Sequence, residues 1–132
     1  MSNQKPLTGG CACRQIRYAV NGKIGFSFHC QCRDCQYLSG TGHASAFICA
    51  RVDVTLEGAP NRYNRTAPSG NTVESAFCGD CGSPVFNLNS GFEDKIFIHA
   101  GTLDEPVHFS PTTVVHREDG LPWDLIDPEQ PR

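Results

Sequence analysis

The chain has 132 residues, a formal net charge of −3 and 39% hydrophobic residues, a composition typical of one globular domain. Lys and Arg total 11 against 14 Asp and Glu, so the chain lacks the basic field that a nucleic-acid-binding protein needs. No stretch approaches the roughly 20 apolar residues of a membrane span, and residues 1–10 lack the apolar core of a signal peptide. We therefore expect a cytoplasmic protein without a nucleic-acid or membrane partner.

Alternating apolar residues and frequent turn residues predict short strands and no long helix, so the expected fold class is mainly β. Asn21-Gly22 is typical of a hairpin turn and joins predicted strands at 15–20 and 24–30. One helical turn is expected over Asp34–Ser39, and further strands are predicted at 43–50, 52–57, 61–65, 72–77, 84–88 and 95–100. We expect a single domain over 1–132, with a folded core over about 8–127 and a frayed tail over 128–132.

Seven of the eight cysteines fall in closely spaced groups, Cys11-x-Cys13, Cys30-x-Cys32-x-x-Cys35 and Cys78-x-x-Cys81. Disulfide geometry disfavours such near neighbours, and structural disulfides are rare in a reducing cytoplasm. Thiolates one or two residues apart suit a tetrahedral metal ion instead. The pattern predicts two zinc ions per chain.

Four of the seven cysteines can complete one closed site. Cys11 and Cys13 would face the same way if they lie on an extended strand, where residues i and i+2 share a face. Cys78 and Cys81 are each followed by a glycine, Gly79 and Gly82, and these glycines permit a sharp turn with backbone N–H groups pointing at the thiolates. We expect these four cysteines to hold a structural zinc that ties the N-terminal strand to the middle of the chain.

Cys30, Cys32 and Cys35 supply three thiolates for a second ion, which leaves its fourth coordination position to solvent, to a substrate thiol or to another side chain. The side chains that could fill it are Cys49, His29 and His43. A three-thiolate zinc suits holding a small thiol as thiolate, because metal coordination removes the thiol proton at neutral pH. This site is the expected catalytic centre.

The sequence resembles the glutathione-dependent formaldehyde-activating enzyme family in these cysteine motifs and in several further positions. Those positions are Gly10, Tyr18, Phe77, the segment Gly101-Thr102-Leu103-Asp104-x-Pro106 and the stretch from His116 to Trp123. The family is also called the Gfa or centromere protein V-like family. The resemblance implies an Mss4-like fold of twisted antiparallel sheets, a structural zinc on Cys11, Cys13, Cys78 and Cys81, and a catalytic-type zinc on Cys30, Cys32 and Cys35. It also implies a carbon–sulfur lyase of the S-(hydroxymethyl)glutathione synthase type, in which glutathione adds to formaldehyde.

Two positions depart from the family pattern and remove positive charge. Gln36 and Tyr37 follow the middle cluster where many members have basic residues, and Glu74, Ser75 and Ala76 stand where an arginine is often found. Glutathione carries two carboxylates, whose recognition favours arginine or lysine. The residues that could compensate are Arg33, Arg62 and Arg65.

Two other functions are compatible with the same cysteines. One is a zinc-stabilised binding module in which both ions are fully coordinated by the protein. The other is a redox role like that of a methionine-sulfoxide reductase, for which Cys49 is the spare nucleophile.

Four further residues have expected roles. His116 and Trp123 are candidates to line a pocket. Asp34 is expected to accept hydrogen bonds from neighbouring amides, and Asp104 is expected to fix a turn through its own backbone.

Overall fold

The computed structural model describes residues 5–126, which form ten β-strands, one α-helix and four short 3₁₀ helices. The strands are β1 (Leu7–Gly10), β2 (Arg17–Val20), β3 (Ser27–Cys30), β4 (Ala44–Ala50), β5 (Val54–Glu57), β6 (Asn61–Thr66), β7 (Thr72–Phe77), β8 (Pro84–Asn89), β9 (Lys95–His99) and β10 (Thr113–Val115). Helix α1 spans Arg33–Ser39, and the 3₁₀ helices span Arg51–Asp53, Ala100–Thr102, Pro106–His108 and Arg117–Asp119. The frayed tail predicted for 128–132 lies outside the described residues.

The strands pair into two sheets. The smaller has the order β1-β2-β5, and the larger has the order β10-β3-β4-β9-β8-β7-β6. In the described part of the chain, β10 pairs with β3 in parallel, and the other strand pairs are antiparallel. The predicted mainly β class is confirmed, with one mixed sheet in place of purely antiparallel ones.

The hairpin predicted around Asn21-Gly22 does not form. Strand β2 pairs with β1 and β5 in one sheet, while β3 pairs with β4 and β10 in the other. Gly22 does not adopt the positive φ of a type I′ turn, and a Cβ at this position would meet the Asp53 side chain at 2.1 Å. Gly22 therefore lies in close contact with the Asp53 side chain, which a larger residue would have to displace, and the chain crosses between the sheets.

The hydrophobic core includes apolar residues from both sheets. Its largest fully buried side chains are those of Ile16, Val20, Phe47, Val85 and Ile98, each at most 2% exposed. These side chains come from the segment before β2 and from β2, β4, β8 and β9, so the core joins the two sheets into one unit.

A hydrogen-bonded network ties the smaller sheet to the segment that follows β9. Asp104 accepts bonds from the Thr8 hydroxyl at 2.7 Å and from Arg17 Nη1 at 2.9 Å, and Tyr18 bonds the Thr102 hydroxyl at 2.8 Å. The Arg17 guanidinium holds the pKa of the Asp104 carboxyl well below its usual range. Asp104 is therefore structural, but it links distant strands through its side chain and does not fix a local turn.

Helix α1 begins and ends with side-chain and backbone caps. The Cys35 N–H donates to Cys32 Sγ at the N-terminus, and Gly40 closes the other end with φ 73° and a bond from its N–H to the Gln36 carbonyl. Gln36 is buried, and its Nε2 donates to the carbonyls of Gln31 and Asp119. The helix is thus anchored to the residue after β3 and to the C-terminal segment, which positions Cys35.

Candidate metal centre

Four cysteine sulfurs meet where the segment after β1 approaches the β7–β8 connection. The Sγ atoms of Cys11, Cys13, Cys78 and Cys81 all lie within 4.8 Å of one another. Cys13 Sγ lies 3.7 Å from both Cys11 Sγ and Cys78 Sγ. A tetrahedron of thiolates with metal–sulfur distances of about 2.3 Å has edges of about 3.8 Å. The predicted four-cysteine site is therefore brought together with the spacing that a tetrahedral ion requires.

Backbone N–H groups point at these sulfurs, as metal-bound thiolates require. Ile16 N–H donates to Cys11 Sγ at 3.2 Å, and Asp80 N–H donates to Cys78 Sγ at 3.4 Å. The Ser83 hydroxyl, 3.3 Å from Cys81 Sγ, is the largest of several hydrogen-bonding contributions that lower the pKa of that thiol to about 5. The chemistry of this donor set fits a cation with four thiolate ligands.

The local backbone at Cys11 and Cys13 differs from the extended strand that we expected. Strand β1 ends at Gly10, and a turn follows in which the Arg14 N–H bonds the Cys11 carbonyl at 3.1 Å. Arg14 adopts φ 69°, a left-handed conformation. A tight turn, and not strand alternation, therefore brings the two sulfurs to the same side.

Three further sulfurs meet at the N-terminus of α1. The Sγ atoms of Cys30, Cys32 and Cys35 lie within 4.8 Å of one another. Cys30 ends β3, Cys32 caps the helix and Cys35 lies in its first turn. Among residues 5–126, no further cysteine, histidine or carboxylate places a ligand atom within this distance of all three. This three-cysteine site could hold a metal ion with one position left to an external ligand.

Each side chain considered for the fourth position has another place in the structure. Cys49 is buried in the core opposite Ile96, and burial raises the pKa of its thiol to about 11. The Nδ1 atom of His29 lies 2.7 Å from the Ser45 hydroxyl, and His43 Nδ1 lies 2.9 Å from Asp124. None of the three joins the three-cysteine group.

The three sulfurs perturb one another's acidity. Hydrogen bonding from Cys30 and Cys35 lowers the pKa of Cys32 to about 2. The same interaction with Cys32 raises the pKa of Cys30 to about 11, and hydrogen bonds to Cys30 and Cys32 raise the pKa of Cys35. The charge of His116 makes a smaller contribution to lowering the pKa of Cys32. Negative charge in this group therefore resides most readily on Cys32.

A groove with a volume of about 540 Å³ lies between α1 and the strands β6, β7 and β8. Its lining includes Asp34, which lies between Cys32 and Cys35 in the sequence, and Gly82, which follows Cys81, but none of the three cysteines of the helix site. The remaining lining residues are Tyr37, Leu38, Tyr63, Arg65, Ser75, Ala76, Phe77 and Pro84.

The three arginines expected to compensate for lost positive charge all have partners within the protein. Arg33 donates to the Gln36 side chain and lies over the Tyr37 ring at 4.6 Å. The Arg62 guanidinium pairs with Glu74 at 2.6 Å, and Arg65 pairs with Asp34 at 2.8 Å. Of these three arginines, Arg65 lines the groove. Asp34 thus bonds Arg65, in place of the neighbouring amides that we expected.

The two C-terminal candidates take different positions. His116 has φ 57° and lies within electrostatic range of Cys32, but it is not among the residues that line the groove. The Trp123 side chain is 63% exposed and does not line the groove. Its neighbour Asp124, which sequence reasoning missed, is buried and accepts bonds from His43 and Gln31.

Gln36 and Ser83 were also missed as residues that support the sites. Gln36 stands next to Cys35, and a polar side chain there could have been recognised as a support for the metal-binding loop. Ser83 follows Cys81 by two residues, and its hydroxyl contacts Cys81 Sγ and accepts a bond from the Ala12 N–H. Both signals are weak in sequence because serine and glutamine usually lie on the surface.

A model of the family described as glutathione-dependent formaldehyde-activating enzyme matches residues 6–119. The chain belongs to this family. The match spans every strand and all seven clustered cysteines, and it confirms the Mss4-like fold class that the motifs implied. No curated protein matches the chain.

This chain also shares its fold with a solved structure, described as a crystal structure of a Rhodobacter sphaeroides protein. The two have 19% sequence identity and a TM-score of 0.57, and the likeness covers 74% of this chain and 87% of the other. At this identity the likeness shows the fold alone. In the described residues of the present chain, no helix is both long enough and apolar enough to cross a membrane.

Proposed function

We propose that this chain is a zinc-dependent carbon–sulfur lyase that joins a small thiol, such as glutathione, to a small aldehyde, such as formaldehyde, or catalyses the reverse. In the forward direction the thiol sulfur forms a bond to the carbonyl carbon, the carbonyl π bond breaks, and the thiol proton ends on the carbonyl oxygen. The proposed location is the cytoplasm, where reducing conditions keep the seven clustered cysteines available as ligands.

The observation that carries the proposal is the three-cysteine site. Three sulfurs converge at the N-terminus of α1, and the described residues supply no fourth ligand atom within the same distance. A metal with three protein ligands and one exchangeable position is the arrangement of catalytic zinc sites, whereas structural sites have four protein ligands. The family match supports chemistry on formaldehyde for the same chain.

Zinc is proposed as the ion because thiolates are soft ligands and the S···S separations in the four-cysteine site fit a tetrahedron. When bound at the three-cysteine site, zinc would supply a Lewis acid that favours the thiolate form of an added thiol. The protein's own contribution is positioning. Cys32 accepts a bond from the Cys35 N–H, and Gln36 holds the helix that carries Cys35.

A pair of cysteine variants tests the proposal. Cys32→Ser removes a ligand of the three-cysteine site, so metal content should fall by about half while the four-cysteine site keeps its ion. Thiol-dependent aldehyde turnover should disappear, and circular dichroism should show an intact fold. Cys49→Ala is the matched control, since it removes a cysteine outside both sites and should leave metal content and turnover unchanged.

Unchanged turnover in Cys32→Ser would exclude the proposed mechanism. A protein that holds two ions but turns over no thiol and aldehyde would instead support the zinc-stabilised binding module.

A further inference from the structure

Gln31, which lies between the first two ligands of the three-cysteine site, is fixed at its backbone N–H, its carbonyl and its side-chain amide. The N–H donates to the Val115 carbonyl at 3.1 Å, and the carbonyl accepts from Gln36 Nε2 at 3.0 Å. The side-chain amide donates to Asp124 Oδ2 at 3.0 Å, and the residue is 5% exposed. Because Gln31 is buried and bonded on three sides, its position determines where the two neighbouring thiolates lie.

The C-terminal segment, residues 113–124, supplies most of these contacts. Its strand β10 pairs in parallel with β3, and Val115 lies opposite Cys30. Further along the segment, the Asp119 carbonyl accepts from the side chain of Gln36. The segment therefore runs beside the stretch that carries the three ligands, although it comes much later in the chain.

The Asp124 carboxylate joins the residues that precede α1 to those that follow it. Its Oδ2 accepts from Gln31 before the helix, and its two oxygens lie 2.9 and 3.0 Å from His43 Nδ1 after the helix. Gly42 also lies against it, since a Cβ at that position would be 2.3 Å from Asp124 Cγ. The Asp124 side chain is 8% exposed. One buried carboxylate thus connects both ends of the helical stretch that carries two of the three ligands.

The hydrogen bonds to Asp124 keep it ionised in this buried position. Burial raises the pKa of the carboxyl, but the bonds from Gln31 and His43 outweigh burial and lower the pKa overall. A buried carboxylate has lost its hydration, so the donors that replace water resist displacement. The Gln31–Asp124 contact is therefore a firm attachment of the metal-binding loop.

We infer that Asp124 is a positioning residue for the three-cysteine site and acts on it through Gln31. The inference rests on the proposed function, which places an ion at that site. Asp124 is not among the groups that converge there. Its carboxylate fixes the Gln31 side chain, and Gln31 fixes the spacing of Cys30 and Cys32. Metal affinity at the three-cysteine site consequently depends on a side chain from the C-terminal segment.

Cadmium-113 NMR tests the inference without relying on activity. Cadmium is a soft ion that suits thiolate ligands, and its resonance responds to the number and geometry of the sulfurs around it. The cadmium-loaded protein should give two resonances, one from each cysteine site. Cys32→Ser should move or remove one of them, which assigns that resonance to the three-cysteine site.

Asp124→Ala and Gln31→Leu each remove one side of the Gln31–Asp124 hydrogen bond. Both should move the resonance of the three-cysteine site and leave the other resonance in place. Competition with a chelator should show cadmium binding at the three-cysteine site weakened by at least about tenfold, the lower end of the loss when the supporting partners of metal ligands are removed. The double variant should bind no more weakly than Asp124→Ala, because both substitutions break the same contact.

Asp104→Ala is the matched control. Asp104 is also a carboxylate that joins distant segments, through bonds from Thr8 and Arg17. The control should lower the free energy of unfolding but leave the resonance and the cadmium affinity of the three-cysteine site unchanged. A general loss of stability is thereby separated from a change of geometry at the site.

An unchanged three-cysteine resonance in Asp124→Ala, an equal change in Asp104→Ala, or additive losses in the double variant would overturn the inference. If Asp124→Ala does not fold, Gln31→Leu decides by the same resonance and affinity. Thiol-dependent aldehyde turnover separates the inference from the lyase proposal. Two resonances with the expected shifts but no turnover in the wild-type protein would overturn the lyase alone. Turnover with no effect of either substitution would overturn the inference alone, and a single wild-type resonance would overturn both.

Discussion

Cys49 separates the competing functions at the level of single residues. It is the one cysteine outside both metal-binding groups, and its side chain lies in the core at 3% exposure. Burial raises the pKa of its thiol to about 11, which keeps it protonated at neutral pH. A methionine-sulfoxide reductase-like role needs an accessible, acidic thiol, and Cys49 has neither property.

We therefore predict that Cys49 resists alkylation in the native protein. Iodoacetamide at pH 7.5 should leave it unmodified over hours and should label it rapidly once urea unfolds the chain, because exposure and thiolate formation both increase. Mass spectrometry of peptides measures the labelling. Cys81 is exposed and the pKa of its thiol is lowered to about 5, so it provides the positive control once a chelator has removed the metal. Rapid labelling of Cys49 in the native protein would instead support the redox function.

His99 gives the protein a pH dependence that originates in burial. Its imidazole is 9% exposed, its Nε2 has no hydrogen-bond partner, and burial lowers its pKa to about 4. Because the unfolded chain takes up a proton near pH 6.5 and the folded chain only near pH 4, stability decreases as pH falls between these values.

The prediction is that His99→Phe removes part of this pH dependence. Between pH 7 and pH 5 the free energy of unfolding of the wild-type protein should fall by about 2 kcal/mol more than that of the variant. Urea unfolding at the two pH values measures the difference. His108→Phe changes an exposed histidine and serves as the control, with the wild-type pH dependence expected. Parallel curves for wild type and His99→Phe would show that this residue does not carry the effect.

At the level of elements, α1 links the proposed catalytic site to the fold. The helix has seven residues, too short to be stable alone, so its position depends on contacts such as those of Gln36. The Gln36 Nε2 donates to the carbonyls of Gln31 and Asp119 at 3.0 and 3.1 Å. Removing this donor would leave the two carbonyl groups without their hydrogen bonds from Gln36. It would also loosen the attachment of the first helical turn, which holds Cys35.

Gln36→Met, which keeps the length of the side chain but removes its donor, should lower the free energy of unfolding by about 1–3 kcal/mol. It should also weaken metal binding at the three-cysteine site and leave the four-cysteine site unaffected. Chemical unfolding and competition with a chromophoric chelator measure the two effects. Tyr37→Phe alters an exposed neighbour on the same helix and is expected to behave as wild type in both. Equal loss of metal from both sites would contradict the assigned role of Gln36.

The elements that sequence predicted best are those fixed by local signals. The helix predicted over Asp34–Ser39 begins one residue earlier, and the strands predicted at 72–77 and 84–88 agree with β7 and β8 to within one residue. Strands β1 and β10 were missed because they are only four and three residues long, and β1 contains two glycines. Pairing partners were the weakest prediction, because the register of β2 with β5 depends on contacts between distant residues.

The two cysteine groups were more predictable than the groove, for a physical reason. Ligands such as Cys30, Cys32 and Cys35 lie close in sequence, so their spacing alone implies convergence. The groove joins α1 to β6, β7 and β8, and no local pattern shows that Tyr37 faces Tyr63 or that Arg65 pairs with Asp34. These contacts could therefore be found only in the folded chain.

At the scale of the whole molecule, the two cysteine sites have different mechanical roles. The four-cysteine site joins the segment after β1 to the β7–β8 connection, so it links the two sheets across 65 residues between Cys13 and Cys78. The three-cysteine site joins the end of β3 to the helix that follows it directly. Closing the longer loop is expected to stabilise the fold more, which supports the structural role proposed for the first site and the catalytic role proposed for the second.

The most direct test of this account is zinc-edge X-ray absorption on the purified protein, combined with elemental analysis. Seven cysteines shared by two ions predict two zinc ions per chain and an average of about 3.5 sulfurs per ion, with the remainder a light-atom ligand. An added thiol that binds at the three-cysteine site should raise that average toward four. Four sulfurs around every ion before any thiol is added, or a single zinc per chain, would contradict the account.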